Sequence, residues 1–186
     1  MKNYKLLTIV TITYNNDSGL NNTYSSIKNL LEKGVKHIII NGGKSIEQSK
    51  FKFSLILNEN DEGIYDALNK GVSKVNSKYF MLLHSGDIFV SDEIILLSII
   101  KNLEENHLDL ILNNQYIGFY KKFRKHRSDN WQPWMLNFGA QPAHLPTIYR
   151  TEFALNYEYK NNIEIVADFI YFENIFDSKP NWSSTS

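Results

Sequence analysis

An aspartate at the end of a short apolar run is the residue of this chain best placed to do chemistry. Tyr79-Phe80-Met81-Leu82-Leu83 leads into His84-Ser85-Gly86-Asp87. A strand that is apolar throughout delivers the acid to the carboxyl edge of a sheet, where open α/β proteins bind their ligands. A carboxylate there can hold Mg²⁺ or Mn²⁺, which take oxygen ligands and keep several waters and substrate phosphates, so a single protein carboxylate suffices. Such an ion neutralises the charge that builds on a departing diphosphate. The competing reading is that Asp87 caps the turn or helix that follows it. The chain has no cysteine and its five histidines lack the H-E-x-x-H spacing, so a preformed zinc site is not expected. Asp66, Asn69 and Lys70 lie on adjacent turns of a helical pattern after Gly63, where they either line a ligand pocket or form a solvated face.

The elements that must position these groups follow from hydrophobic periodicity. Residues 6–13 form a β-branched run that stops at Tyr14-Asn15-Asn16-Asp17, the pattern of a buried parallel strand opening into a loop. Leu20, Tyr24, Ile27, Leu30 and Leu31 recur at helical steps before Gly34. Residues 35–40 and 53–57 read as strands, the first running into the turn Asn41-Gly42-Gly43. Helices are expected over 64–75 and 91–106, and strands over 79–83, 108–112 and 116–120. Alternation of this kind predicts a mostly parallel sheet covered on both faces, with Asn15, Asn41 and Asp87 at its ligand-binding edge. Beyond it, Trp131, Pro133, Trp134, Pro142 and Pro146 interrupt any long element until helical spacing resumes over 163–176, and 179–186 reads as a loose tail.

With 186 residues, 42% of them hydrophobic, the chain is expected to form one domain with an ample core. Twenty basic and twenty acidic side chains cancel, which argues against nucleic acid as a partner. The first apolar run, about eight residues long, is unlike a secretory signal, and nothing approaches the roughly 20 apolar residues that span a bilayer. A cytoplasmic protein is the expectation.

The segment Asp61-Glu62-Gly63-Ile64-Tyr65-Asp66-Ala67-Leu68-Asn69-Lys70-Gly71, followed by His84-Ser85-Gly86-Asp87, resembles family 2 glycosyltransferases of the GT-A fold, in the branch that reads D-x-G-I-Y-D-A-M-N-K-G and then N-S-G-D. Val10-Thr11-Ile12-Thr13-Tyr14-Asn15 and Ile38-Ile39-Ile40-Asn41-Gly42-Gly43 resemble the same family's first two strands and their turns. The resemblance implies a GT-A-like, Rossmann-type, mostly parallel sheet flanked by helices in a single domain. Residues 1–115 would bind a nucleotide sugar, 116–178 would form the acceptor side, and 179–186 the tail. It implies an inverting, metal-dependent transferase that moves a sugar from a nucleoside diphosphate, a uridine one above others, to a glycan or lipid-linked acceptor in surface polysaccharide synthesis. Asp87 matches the final acid of the D-x-D motif and so would hold Mn²⁺ or Mg²⁺, while Ser85 and Gly86 replace that motif's other acidic company at the donor. Thr13, Tyr14 and Asn15 would lie against the base, with Asp66, Asn69 and Lys70 beside the nucleotide. Asn41 stands where relatives place an aspartate on the uracil. Val166-Ala167-Asp168-Phe169 resembles the C-terminal acidic motif, which makes Asp168 the base that takes the acceptor's proton. The competing view of Asp168 is a helix N-terminal acid favoured by the dipole. His144 resembles a histidine that faces the acceptor.

Trp131 and Trp134 offer faces on which sugar rings could rest. Lys121, Lys122, Arg124, Lys125 and Arg127 form the one dense basic run. It is either a solvated strand edge or a dock for a diphosphate-linked lipid or an anionic membrane surface, which would place the protein peripherally at the membrane's inner face. Two rival readings stand beside the transferase. A catalytically silent sugar- or lipid-binding subunit is suggested by Asn41, Gly86 and Ala167 at acidic positions. A sugar nucleotidyltransferase would share the sheet and the metal acid but should carry a glycine-rich, basic first loop, which Tyr14-Asn15-Asn16-Asp17 is not. Gly43-Lys44-Ser45 lacks the upstream glycine of a P-loop, since position 38 is Ile38.

Overall fold

A computed structural model describes residues 3–119, 122–163 and 166–185. The strands β1 (Leu7–Thr13), β2 (Lys36–Asn41), β3 (Ser54–Asn58), β4 (Tyr79–Leu82), β5 (Leu110–Leu112), β8 (Ile148–Arg150) and β9 (Trp182–Ser184) form one sheet in the order β3-β2-β1-β4-β8-β5-β9. β8 alone runs against the others. β6 (Gln115–Phe119) and β7 (Lys122–His126) form a separate antiparallel hairpin. Every residue of β1, β4 and β5 is buried, as a strand covered on both faces requires.

Alternation along the strands supplies the two cores. Leu7 and Ile9 of β1 face α1 (Asp17–Glu32) and α3 (Glu93–Glu105), in a cluster with Ile27, Leu30, Ile100 and Leu103. Val10 and Ile12 face α2 (Ile64–Ser73) and, further on, α5 (Ala167–Asp177), in a cluster with Leu68, Tyr171 and Phe172. α2 lies so close to β1 that a Cβ on Gly71 would come within 2.4 Å of Val10 Cγ1. The short α4 (Thr151–Ala154) follows β8.

The expected helices and strands of the first two thirds are present, with boundaries moved by a few residues. Three differences go beyond boundaries. The strand expected over 116–120 is β6, which stays out of the main sheet and pairs with the basic β7. β8, unexpected from the sequence, pairs with β4 and β5. Within the expected loose tail, Trp182–Ser184 pairs in parallel with β5, anchored by the Trp182 ring, which meets Phe176 at 5.6 Å and Trp131 at 5.9 Å. The helix expected from 163 starts at Ala167, and residues 164 and 165 lie outside the described residues.

Candidate functional site

The sheet brings the ends of β1, β2 and β4 to one edge. β1 pairs with β2 up to Thr13 and Asn41, and Leu83 and Ser85 continue the β4 side by donating to Val10 O at 2.9 Å and Ile12 O at 3.1 Å. The turn His84-Ser85-Gly86-Asp87 therefore sits beside the end of β1. Gly86 has φ +105°, a backbone conformation that side chains rarely adopt.

Thr23 of α1 and Asn16, the residue before that helix, clamp this turn. Asn16 caps the helix, its Oδ1 accepting from Gly19 N–H at 3.1 Å, while its Nδ2 donates to Ser85 O at 3.1 Å and Ser85 Oγ at 3.2 Å. Thr23, fully buried, accepts from Gly86 N–H at 2.9 Å, and its one hydroxyl proton is shared among Asp87 O at 2.7 Å, Gly19 O at 3.1 Å and His84 O at 3.2 Å. Nothing in the sequence marked Thr23, because its partners in the turn lie more than 60 residues away in the chain.

Asp87 itself is half-buried, and its Oδ2 accepts from His84 N–H at 3.2 Å. It does cap a turn, but with one oxygen; Oδ1 makes no hydrogen bond among the described residues. The helix that follows is capped by Asp92, which accepts from Ile94 N–H at 2.8 Å. No group of three or more His, Asp or Glu among the described residues could hold a metal by itself. One open carboxylate oxygen fits an ion that keeps its waters and takes further ligands from substrate phosphates. Thr13 Oγ1 and His84 Nε2 are buried near this edge without a hydrogen-bond partner.

The turn after β2 is built differently. Asn41 is 1% exposed; its Nδ2 donates to Lys44 O and Asn58 Oδ1, each at 2.8 Å, and its Oδ1 accepts from Gly43 N–H at 3.1 Å. Its amide is engaged within the protein. Asn15, at φ 50°, accepts from Lys44 N–H at 2.9 Å through Oδ1 and braces the same turn. Tyr14 is 69% exposed at the end of β1, its ring free of the core. Asp61 packs against Gly42, where a Cβ would fall 1.8 Å from its Oδ2, and its Oδ1 accepts from Gly63 N–H at 3.1 Å. Quoted in the sequence only as part of a motif, Asp61 is thus the carboxylate that reaches this edge. A pocket of about 270 Å³ lies alongside, lined by Asn15, Lys44, Lys50 and Phe51 among others.

The polar face of α2 is tied to neighbouring loops. Asn69 clasps the backbone of Tyr159, donating to its O at 2.8 Å and accepting from its N–H at 2.9 Å. Lys70 donates to Asn60 O at 2.7 Å and pairs with Asp66 at 2.6 Å. Asp66 also accepts from Glu62 N–H at 3.0 Å, and the hydrogen bond from Lys70 holds its carboxyl below the usual range. These three side chains anchor the loops at 159–161 and 60–62.

Asp168 lies in the first turn of α5, half-buried, with Oδ1 accepting from Phe169 N–H at 2.9 Å and Oδ2 from Gln141 Nε2 at 2.8 Å. Tyr65 stands beside it, its phenol pushed up by partial burial and then by the charge of Asp168. His144 Nε2 is 2.7 Å from Tyr159 Oη, and burial drives this imidazole down to about 4, with Asp168 opposing the shift and His84 adding to it. His84 is lowered by burial against the opposing charge of Asp87. Each acid thus acts on an imidazole, Asp87 on His84 and Asp168 on His144, and the two imidazoles act on one another. Gln141 and Tyr65 were not singled out in the sequence; an uncharged amide or a phenol within a motif gives no signal of its own.

The tryptophans part ways. Trp131 is buried, donates from Nε1 to Ala140 O at 2.8 Å and packs on Phe176 at 4.8 Å, so it belongs to the core and offers no sugar platform. Trp134 is exposed, edge-on to Phe138. Of the basic run, Arg124 and Lys125 are exposed on β7, and Arg127 forms a two-pronged pair with Asp129. Lys121 and the side chain of Lys122 lie outside the described residues.

The profile described as Glycosyl transferase family 2 matches residues 8–177. An uncharacterized glycosyltransferase of Mycobacterium tuberculosis is 28% identical over 96 residues, which cover 48% of this chain and 37% of the relative. Among solved structures, S. aureus TarS 1-349 in complex with UDP-GlcNAc matches with a TM-score of 0.72 at 14% identity, over 97% of this chain and 56% of that one. The mannosyltransferase PcManGT from Pyrobaculum calidifontis, in complex with GDP-Man and Mn²⁺, matches with a TM-score of 0.68 at 9% identity, over 97% and 54%. At such identities the likeness is one of fold, the GT-A-like sheet. The chain spans 37% of the length of its curated relative and little more than half of these solved chains.

Proposed function

The chain belongs to glycosyl transferase family 2, and on that premise we propose that it transfers a sugar, with inversion, from a uridine diphosphate donor to a glycan or lipid-linked acceptor. The observation that carries this reading is the clamped acid turn at the end of β4, where one oxygen of Asp87 closes the turn and the other is left open. Asp87 would hold Mn²⁺ or Mg²⁺, and the bound ion supplies neutralisation of the diphosphate's developing charge. Support for a divalent ion comes from PcManGT, whose complex contains Mn²⁺, and support for uridine from the UDP and UDP-GlcNAc complexes of TarS. Tyr14 and Asp61 replace Asn41 as the residues offered to the nucleotide.

Asp168 is the base of this reading. As the acceptor oxygen bonds to the anomeric carbon, the bond from that carbon to the diphosphate breaks and the acceptor's proton passes to Asp168. Displacement from the opposite side inverts the centre. Gln141 and the Phe169 N–H hold the carboxylate in place, and the neutral His144 beside it neither competes for the proton nor adds a positive charge. Trp134 is available to an acceptor sugar. Work in surface polysaccharide synthesis, in the cytoplasm at the membrane's inner face, suits this chemistry; no helix among the described residues is long and apolar enough to cross a membrane.

The reading is tested by thermal shift with UDP, GDP, CDP, ADP and dTDP, each with Mn²⁺ or chelator, on wild type and Asp87→Ala. A ligand at about a hundred times its dissociation constant adds roughly 2.7 kcal/mol of stability. Metal-dependent stabilisation by UDP, lost in the variant, is the expected result. No shift with any nucleotide, together with no release of UDP from UDP-sugars, would overturn the transferase in favour of a silent binding subunit.

A further inference from the structure

A column of three tyrosines joins α2 to α5. The ring of Tyr65, in the first turn of α2, is stacked on Tyr159 at 5.8 Å with 19° between planes, and Tyr159 is stacked on Tyr171 at 4.1 Å and 16°. Tyr171 stands three residues after Asp168 on α5, so it shares a helix face with that acid. Tyr159 and Tyr171 are buried, and Tyr65 is half-buried at the outer end of the column. The middle ring is fixed in place. Asn69, one turn beyond Tyr65 on α2, clasps the backbone of Tyr159 at 2.8 and 2.9 Å, and His144 Nε2 stands 2.7 Å from Tyr159 Oη.

The outer end of the column meets the start of the helix that carries the base. α5 receives no side-chain cap from Val166, the residue before it, and the first amides of a helix have no acceptor within the helix itself. The Tyr65 phenol lies against this start: the Asp168 carboxylate and the backbone amides of Asp168 and Ala167 all act on it. A phenol suits the place, since its oxygen accepts from an amide while its O–H donates to a carboxylate. Gln141 and the Phe169 N–H hold Asp168 from its own side of the fold. Tyr65 approaches it from the other. Four residues before Tyr65, Asp61 packs against Gly42 at the sheet's ligand edge, so the segment 61–65 runs from that edge to the base.

We infer that Tyr65 is a positioning residue for the base: its phenol O–H holds the Asp168 carboxylate from the α2 side and, through the segment 61–65, fixes the base relative to the donor edge. What Asp168 does there rests on the transferase reading; where Tyr65 stands rests on the column. The competing view is that Tyr65 only packs on Tyr159. The hydroxyl separates the two, because a phenylalanine ring would complete the stack as well as a tyrosine.

Tyr65→Phe keeps the stack and removes only the hydroxyl. The first measurement needs no turnover: urea unfolding of Tyr65→Phe, Asp168→Ala and the double variant. Tyr65→Phe should raise the unfolding constant about fivefold in wild type and less than about twofold where Asp168 is replaced. The second reads UDP release from UDP-glucose and UDP-N-acetylglucosamine with Mn²⁺ and with water as the acceptor. In Tyr65→Phe, kcat should fall about tenfold while KM stays within about twofold, the pattern of a group that acts in the transition state and not in donor binding. The Mn²⁺-dependent UDP shift should be kept, which shows that the donor site is intact. Additive effects in unfolding overturn the contact, and an unchanged kcat, or a loss carried by KM, overturns the positioning role. A wild type that shifts with no nucleotide and releases no UDP defeats the transferase reading instead, and the unfolding cycle then decides the contact by itself.

Discussion

The turns after β2 and β4 occupy equivalent places, each at the carboxyl end of a buried parallel strand beside β1, and they use their polar side chains in opposite ways. Asn41 turns both its donor and its acceptor inward and is sealed, with Asn58, into a closed network. Asp87 turns one oxygen inward and leaves the other open, while Thr23 and Asn16 on a neighbouring helix do the work of holding the turn. A polar residue at a ligand-binding edge is therefore not by that fact a ligand-binding residue. What distinguishes the two is whether hydrogen-bonding capacity remains once the turn has been built.

That contrast predicts a double dissociation. Asp87→Asn keeps the shape and an acceptor for His84 N–H but removes the charge, so unfolding free energy should change by no more than about 0.5 kcal/mol. Mn²⁺-dependent UDP binding should vanish, and transfer should fall by about 10²-fold or more, as it does when a group that stabilises developing charge is lost. Asn41→Ala should do the reverse. It removes the partners of Lys44 O and Gly43 N–H and one of the two donors to Asn58 Oδ1, which keeps Ile46 N–H, at a cost of about 1–2 kcal/mol in urea unfolding, while leaving the affinity for UDP with Mn²⁺ within a few fold. If Asn41→Ala abolished nucleotide binding in a fully folded protein, the two turns would not differ as claimed.

Acid should sharpen the same comparison, because a buried neutral histidine lies beneath each region. His37 of β2 bridges Ser54 Oγ at 2.7 Å and Thr11 Oγ1 at 3.0 Å, and burial lowers it to about 3; His144, near the acid turn, is lowered to about 4. Between these values and the unfolded value of roughly 6.5, the unfolded chain binds the extra proton. Their contribution to stability is complete above pH 6.5 and is lost as pH falls towards 4 and then 3. From pH 7.5 to 5.5 each should cost about 1.4 kcal/mol, read from the shift of urea midpoints. His144→Gln should remove one share and His37→Gln the other; a stability flat across this range would contradict the burial of both.

The sheet's centre could be read in the sequence because β1, β2 and β4 are apolar runs bounded by polar turns, and the place of Asp87 just past β4 could be read because a wholly apolar run stops at His84-Ser85-Gly86-Asp87. The rest depended on the fold. β8 and β9 are three residues each, and Trp-Ser-Ser becomes a strand only because β5 offers it an edge and Trp131 a surface. Trp131 and Trp134 look alike in sequence and separate only when the core closes over one of them. Asn69, Lys70 and Asp66 display the composition of a binding face, yet their partners at 159–161 and 60–62 lie in loops whose approach no local pattern encodes. Thr23 is hidden for the same reason: a threonine on the inner face of an amphipathic helix carries no mark of the turn it will hold.

Thr23 is also where the contrast can be tested most finely, since it acts on the acid turn without touching the open oxygen. Thr23→Val preserves volume and β-branching but removes Oγ1, leaving Gly86 N–H without its acceptor and Asp87 O without its donor. A loss of about 1 kcal/mol in urea unfolding is the expected structural cost. The positioning role predicts something more, a several-fold rise in the Mn²⁺ concentration needed for half-maximal UDP binding, because the turn that aims Oδ1 is no longer fixed. Thr23→Ser, which restores the hydroxyl, should recover the Mn²⁺ dependence even if the missing methyl still costs some stability. If Thr23→Val lowered stability and left the Mn²⁺ dependence at the wild-type value, Thr23 would be a core residue only, and Asn16 and the backbone would suffice to present Asp87.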